Sequence, residues 1–359
     1  MVGAAGLTPG NAWVRGVGEA VERFALSPSI NSYAVQDLAG VPKVMDELAA
    51  HGLVGDLPSG TPVLPAVRLA TGEPCAVPQT AIDYPATEDS AVADQTPSGA
   101  ASGLDADRPL VRAALELVER DAFERAWQGV TVPRRIELVD LARETDAPTR
   151  EALAKLQDVT RRHNHQITLG WLPTINGVPA VTALVQRGDG PVGVGCSAGG
   201  SVAACAVKAA VEGIQVESLL RNWRDATNAV SSGDRTSPRP RTEFERLDYL
   251  CSASATKATN SFGESFDTGR LPEGTKGPTT SGALAAQLAG LGVQLFAVDL
   301  TPRLPVGVRG RGWHAVRVLA AGLQPLRGND LLPWNWNLRR MEGRVGPRGQ
   351  TSRPPHPLA

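Results

Sequence analysis

Ser98-Gly99-Ala100-Ala101-Ser102-Gly103, leading to Glu116-Leu117-Val118-Glu119-Arg120-Asp121-Ala122, is the stretch on which the reading of this chain turns. A glycine- and serine-rich loop runs into a helix whose glutamates stand three residues apart. Residues i and i+3 share one helical face, so Glu116 and Glu119 send their oxygens in one direction. Leu110, Ala113, Ala114, Leu117, Val118 and Phe123 supply the apolar side of that helix, and Trp127 is expected to close it against the core.

Two other stretches repeat the plan. Gly6-Leu7-Thr8 precedes a helix with Glu19, Glu22 and Arg23, on which Ala12, Val14, Val17, Ala20, Val21 and Phe24 form an apolar stripe. Gly195-Cys196-Ser197-Ala198-Gly199-Gly200-Ser201 precedes a helix, about Ala203 to Trp223, with Glu212 and Gln215. The same spacings also make surface ion pairs. Repetition in an alanine-rich context argues for a shared role.

If the three helices converge, Glu19, Glu22, Glu116, Glu119, Glu212 and the Gln215 amide crowd one cavity. Like charges at that density raise each other's pKa values unless cations neutralise them. Hard divalent ions such as Mg2+ suit carboxylate oxygens and commonly bridge to phosphates. Arg23 and Arg120 can hold neighbouring carboxylates or reach phosphate oxygens. None of the loops matches the lysine-bearing P-loop pattern, and of the scarce lysines only Lys208 lies near a motif. Neither the histidines nor the serines suggest a hydrolase, since none of the five histidines stands beside a nucleophile motif.

Composition sets the outer bounds. A chain of 359 residues with 42% hydrophobic and 20% charged residues can bury a large core, as one large domain or two smaller ones. A net charge of −1 without a basic run excludes the footprint of a nucleic-acid binder. No apolar run is long enough to cross a membrane, and the N-terminus lacks the pattern of a secretory signal, which points to the cytoplasm. Cys75, Cys196, Cys205 and Cys251 show no zinc spacing and are expected to be small buried thiols.

Between these landmarks, Pro62 to Leu69, Gln166 to Trp171, Ala180 to Gln186, Gly190 to Gly195, Val293 to Leu300 and Ala315 to Leu319 predict strands. Thr149 to His163 and Leu284 to Leu291 predict helices. Residues 231–241 and 252–280, rich in Ser, Thr, Gly and Pro, read as mobile loops. The tail, about 343–359, is held extended by prolines and could lie in a groove.

Taken together, these residues resemble the YcaO family of ATP-dependent enzymes that modify peptide backbones. Gly18-Glu19-Ala20-Val21-Glu22-Arg23 is similar to its first helix. Ser98 to Gly103 with Glu116 to Ala122 is similar to its second segment. Glu212-Gly213-Ile214-Gln215 is similar to the Glu-x-x-Gln of its third. Val298-Asp299-Leu300-Thr301, Ala321-Gly322-Leu323-Gln324-Pro325-Leu326 and the ending Pro355-His356-Pro357 resemble its late strands and proline-rich end.

The resemblance implies a single α/β domain over residues 1–359, of the α+β kind, with mixed sheets and helices around a Mg-ATP site. Glu19, Glu22, Glu116, Glu119 and Glu212 would bind Mg2+. Arg23, Ser98, Arg120, Ser197 and Gln215 would hold the nucleotide, and Pro355, Pro357 and Ala359 would lie near the reacting peptide. It implies cyclodehydration: a Cys, Ser or Thr of a ribosomally made precursor peptide attacks the preceding carbonyl. The oxyanion is phosphorylated by ATP, and loss of phosphate leaves a thiazoline or oxazoline, as in thiazole/oxazole-modified peptides and thiopeptides. Phosphorylation is needed because an amide oxygen is otherwise a poor leaving group.

A separate leader-peptide-binding protein is the implied partner, and the reading leaves room for a flavin dehydrogenase and a homodimer. The chain departs from the family pattern where Ala4-Ala5-Gly6 replaces Gly-Lys-Gly, at Gly16, at Ser98, at Val216-Glu217 and at the final Leu358-Ala359. It also begins where the family has usually built its opening strands. Those departures keep two alternatives open, a non-catalytic nucleotide- or peptide-binding scaffold for a partner enzyme and a thioamide-forming relative.

Overall fold

The computed structural model describes residues 4–28, 40–85, 92, 94, 96–141, 146–228, 239–269, 271, 277–329, 332–346 and 349–358. In chain order its first elements are α1 (Pro9–Leu26), α2 (Met45–Ala50), β1 (Val63–Arg68), β2 (Pro74–Pro78), β3 (Ala100–Gly103), α3 (Asp107–Trp127), β4 (Arg134–Ile136), α4 (Leu138–Leu141) and α5 (Ala147–Arg162). Then follow β5 (His165–Trp171), β6 (Ala180–Arg187), β7 (Gly193–Ala198), α6 (Val202–Asn228), α7 (Glu243–Leu250), α8 (Ala253–Glu264), α9 (Ser281–Ala289), β8 (Gln294–Asp299), α10 (Val306–Arg309) and β9 (His314–Ala321).

Local chemistry starts the helices where they start. The Thr8 hydroxyl accepts from Asn11 N–H at 3.2 Å, and Pro9 occupies the first turn of α1, where a missing N–H costs nothing. Asp146 caps α5 and Thr280 caps α9 in the same manner.

The strands form two sheets, ordered β2-β1-β8-β9-β3 and β4-β5-β6-β7. The chain is thus the α/β mixture expected, but every named ladder is antiparallel, where mixed sheets were implied. The pairing of Val67 with Ala297 shows how the first sheet joins distant parts of the chain.

α3 is shared by both sheets. Its first half, Ala113, Ala114, Leu117 and Val118, packs with α9 and the strands β8 and β9. Its second half, Ala122, Phe123, Ala126 and Trp127, packs against β6, β7 and Phe262 of α8. The Trp127 and Phe262 rings meet edge-on, 5.2 Å apart, confirming Trp127 as the expected core contact. With apolar partners on several sides, α3 has no single apolar stripe, and its buried polar residues have to be satisfied individually.

Several sequence expectations need correction. Residues 253–264, read within a loop of 252–280, form α8: Ser252 caps it through Ala255 N–H, and Ala255, Thr259 and Phe262 line its buried side. Residues 231–238 and 272–276 of the expected loops lie outside the described residues. The second and third glycine loops are largely strand, β3 and β7. On α1 the expected stripe fails at its start, where Val14 is 69% exposed and burial is complete only at Ala25 and Leu26. Cys75, Cys196 and Cys205 are buried free thiols as expected, whereas Cys251 is half-buried.

Glycines in β7 set how closely α6 can lie on the second sheet. A Cβ at Gly195 would stand 2.2 Å from Ala209 O and 2.5 Å from Gly213 N, and one at Gly193 would stand 2.3 Å from Glu217 N. These are helix backbone atoms that no side-chain rotation can clear. The glycine-rich character of the third motif therefore serves helix-on-strand packing.

Candidate active site

Strands β3 and β7 are edge strands, so each presents backbone N–H groups with no neighbouring strand to accept them. Carboxylates from three helices take that place. Glu22 of α1 accepts from Ser102 N–H at 3.0 Å, and Glu116 of α3 accepts from Gly99 N–H, just before β3, at 3.3 Å. Across the gap, Glu212 of α6 accepts from Cys196 N–H at 2.9 Å, and Glu119 of α3 accepts from Ala198 N–H. Helical spacing on α3 lets its two glutamates serve one sheet each.

Arginines enter the same space. Arg120 lies 3.6 Å from Glu116 and 3.8 Å from Glu119, and Arg112 lies 3.8 Å from Glu22. Burial pushes the Glu119 carboxyl up to about 8, with Glu212 and Glu116 adding to the rise and Arg120 and the Ala198 N–H opposing it. Glu22 is pushed up to about 7 by burial first, then by Glu116 and Glu19. Glu212 is raised by burial, with Glu116 contributing. Mutual repulsion contributes as expected, second to desolvation.

The other sequence-predicted residues are placed as follows. Glu19 is paired with Arg23 at 3.8 Å and lies within electrostatic reach of Glu22. The Arg23 guanidinium also rests over the Tyr84 ring, 5.2 Å from its centre. Ser98 is buried next to the Gly99 amide that serves Glu116. Ser197 is buried, with its hydroxyl against the Cys205 thiol of α6. Gln215 is half-buried one turn beyond Glu212. Pro355 is half-buried and Pro357 buried, and Ala359 lies outside the described residues.

Among the described residues no group of three or more His, Cys, Asp or Glu side chains is drawn together at metal-cage spacing. The carboxylates rest on amides instead. Their chemistry nevertheless fits Mg2+: hard oxygen donors, gathered from three helices, with the proton affinities of Glu22, Glu119 and Glu212 raised by burial first and by neighbouring carboxylates second. Glu22, Glu116, Glu119 and Glu212 are the residues that could hold it.

These shifts set a pH dependence. Between the ordinary carboxyl value and about 8 the folded chain keeps protons that the unfolded chain releases, so metal-free stability declines as pH rises through that window. Cation binding has to expel those protons and therefore strengthens over the same window. Added Mg2+ is expected to raise the melting temperature more at about pH 8.5 than at about pH 6. A thermal-shift series with equal gains at both ends would contradict it.

Sequence reasoning missed three groups. Arg317 on β9 is buried and donates to Thr96 O at 2.7 Å and Ile82 O at 3.2 Å, fixing the approach to Gly99. Burial lowers its pKa to about 10, while the charge of Glu116 opposes that change. An arginine inside the apolar run of β9 was a readable signal for it. Arg112 was visible on α3 but not its partner.

Asp121, fully buried beside Glu119 and Arg120 in sequence, accepts from Arg340 Nε and Gln324 N–H, both at 2.9 Å. It ties α3 to the C-terminal region, and partners so distant leave no trace in local sequence. Removing one member of a buried ion pair strands the other, so Asp121→Ala is expected to lose about 3–5 kcal/mol. Urea denaturation measures this, and a loss below about 1 kcal/mol would show that Arg340 finds another acceptor.

The chain belongs to the YcaO family: the family profile, described as an ATP- and Mg2+-binding YcaO cyclodehydratase, matches residues 3–324. ATP and Mg2+ are the ligands which that membership brings. No curated protein matches the sequence.

Solved structures agree on the fold. A heterocyclase in complex with substrate and cofactor superposes with a TM-score of 0.67 at 15% identity, over 99% of this chain and 49% of that one. This chain thus spans about half of that heterocyclase. YcaO from Methanopyrus kandleri, bound with AMPPCP and Mg2+, gives a TM-score of 0.56 at 19% identity, covering 89% of this chain and 78% of that one. A chain of the E. coli microcin synthetase McbBCD complex with pro-MccB17 bound gives 0.60 at 13% identity, covering 90% and 81%. Among the described residues no helix is long and apolar enough to cross a membrane.

Proposed function

We propose that this chain is an ATP-dependent cyclodehydratase that forms thiazoline or oxazoline rings at Cys, Ser or Thr of a ribosomally made precursor peptide. The observation that carries this reading is the meeting of Glu22, Glu116, Glu119 and Glu212, from three helices, between two sheet edges. α3 joins both sheets, which supports reading residues 1–359 as one unit.

Bound Mg2+ would neutralise charge on the nucleotide phosphates during phosphoryl transfer. The four glutamates would hold it, with Glu19 and Gln215 at their margins. Arg120, paired with Glu116 and Glu119, would orient those carboxylates and turn toward phosphate oxygens when nucleotide binds. Arg23, steadied on Tyr84, would serve the same phosphates from α1. The substrate side chain would close on the preceding carbonyl carbon, ATP would phosphorylate the oxyanion so formed, and departure of phosphate with the amide N–H proton would leave the C=N bond of the ring. Work in the cytoplasm agrees with the free cysteines, and a separate leader-binding protein would present the precursor.

The test is purified chain, ATP, Mg2+, a Cys/Ser/Thr-rich precursor peptide and its leader-binding partner. Peptide-dependent ADP release with loss of water from the peptide mass is expected. Exchange of oxygen for sulfur would assign thioamide formation instead. Nucleotide binding without ADP would favour the scaffold reading, which draws support from the carboxylates being occupied by amides and from the missing Gly-Lys-Gly lysine.

A further inference from the structure

Arg246 of α7 is 5% exposed and spends its fork on backbone carbonyls. Nη1 donates to His356 O at 3.1 Å, and Nη2 donates to Arg327 O at 3.0 Å and Gly328 O at 3.1 Å. The His356 ring returns to the same segment, its Nε2 lying 2.6 Å from Arg327 O. From α3, Trp127 Nε1 donates to Pro354 O at 2.8 Å. A rigid fork shared among three carbonyls fixes a chain path that proline-rich sequence, poor in amide donors, cannot fix through a ladder of its own.

The anchored segment ends in an apolar cluster that also holds residues of β7 and α3. Leu358, 2% exposed, packs in one apolar cluster with Phe123, Trp127, Phe262 and Cys196, and Ala198 lies at its margin. Cys196 and Ala198 are the residues whose N–H groups hold Glu212 and Glu119. Packing transmits strain because protein interiors are close-packed, so a shift in Leu358 is felt along the β7 edge.

We propose that Arg246 is a positioning residue of the carboxylate site, holding residues 354–358 as the wall behind β7 that aligns the Glu119 and Glu212 oxygens. It acts through the chain segment and touches no substrate. The inference rests on the reading of those carboxylates as the Mg-ATP site.

The experiment uses the full chain, with Arg246→Met, Arg246→Lys and Leu358→Ala beside the wild type. Hydrogen exchange is followed in peptides covering 351–358 and 193–200, and calorimetry gives the affinity for AMPPCP with Mg2+ well below the melting temperature. Arg246→Met is expected to speed exchange in both peptides and to weaken AMPPCP binding about tenfold, with Arg246→Lys between it and the wild type. Leu358→Ala, which leaves the anchor intact, should affect 193–200 and affinity alone.

Faster exchange at 351–358 with 193–200 and affinity unchanged overturns the proposal. So does unchanged exchange in both peptides. If Arg246→Met fails to fold, Leu358→Ala decides alone on the same criteria. A wild type that binds no AMPPCP counts against the proposed function, and the positioning role is then judged by exchange at 193–200.

Discussion

Glu119→Gln is expected to fold normally and to release ADP at least about a hundredfold more slowly than the wild type. The unchanged fold follows from protonation. With its carboxyl pushed up to about 8, Glu119 is largely neutral in the metal-free protein at neutral pH, and a glutamine of the same shape can still accept from Ala198 N–H. The loss of turnover follows from charge: an amide cannot give up a proton to become an anionic ligand when a cation arrives. Outer partners of metal ligands alone cost 10- to 100-fold, so replacing a ligand should cost no less. An ADP assay with a melting curve checks both halves. Wild-type turnover in this variant would remove Glu119 from the site.

Gly195→Ala is expected to lose at least about 3 kcal/mol, read as a shifted urea midpoint. The added methyl would stand 2.2 Å from Ala209 O, so α6 has to rise from β7 as a body. Lifting α6 also draws Glu212 from the Cys196 amide, and cation-dependent stabilisation should fall with it. Gly282→Ala on α9, where a Cβ meets nothing within 4 Å, serves as the control and should gain about 0.5–1 kcal/mol. A Gly195→Ala variant as stable as the wild type would show that α6 does not rest on β7 at this point.

Much of the site was legible because its signal is local. Glu116 and Glu119 announce a shared face by spacing alone, and the same holds for Glu19 with Glu22. Apolar periodicity located α1, α3, α5, α6 and α9. α8 was missed because small and hydroxylated residues dominate it, and its only large buried apolar residue is Phe262. α7 was missed too, although Thr242 caps it through Glu245 N–H. What the sequence could not supply was pairing at a distance. Nothing local joins Arg68 to Phe296, Asp121 to Arg340, or Arg246 to His356. Nor could residue type tell that Ser197 turns toward Cys205 while its neighbours' amides face the glutamates.

The glutamates on the two sheet edges also bear on solubility. Exposed strand edges with free N–H groups recruit strands from other molecules. Here β3 and β7 are guarded by carboxyl acceptors that satisfy those groups and leave a foreign strand fewer donors to pair with. A chain whose glutamates were all replaced by alanine would bare both edges, and its tendency to self-associate would rise together with its loss of ligand binding.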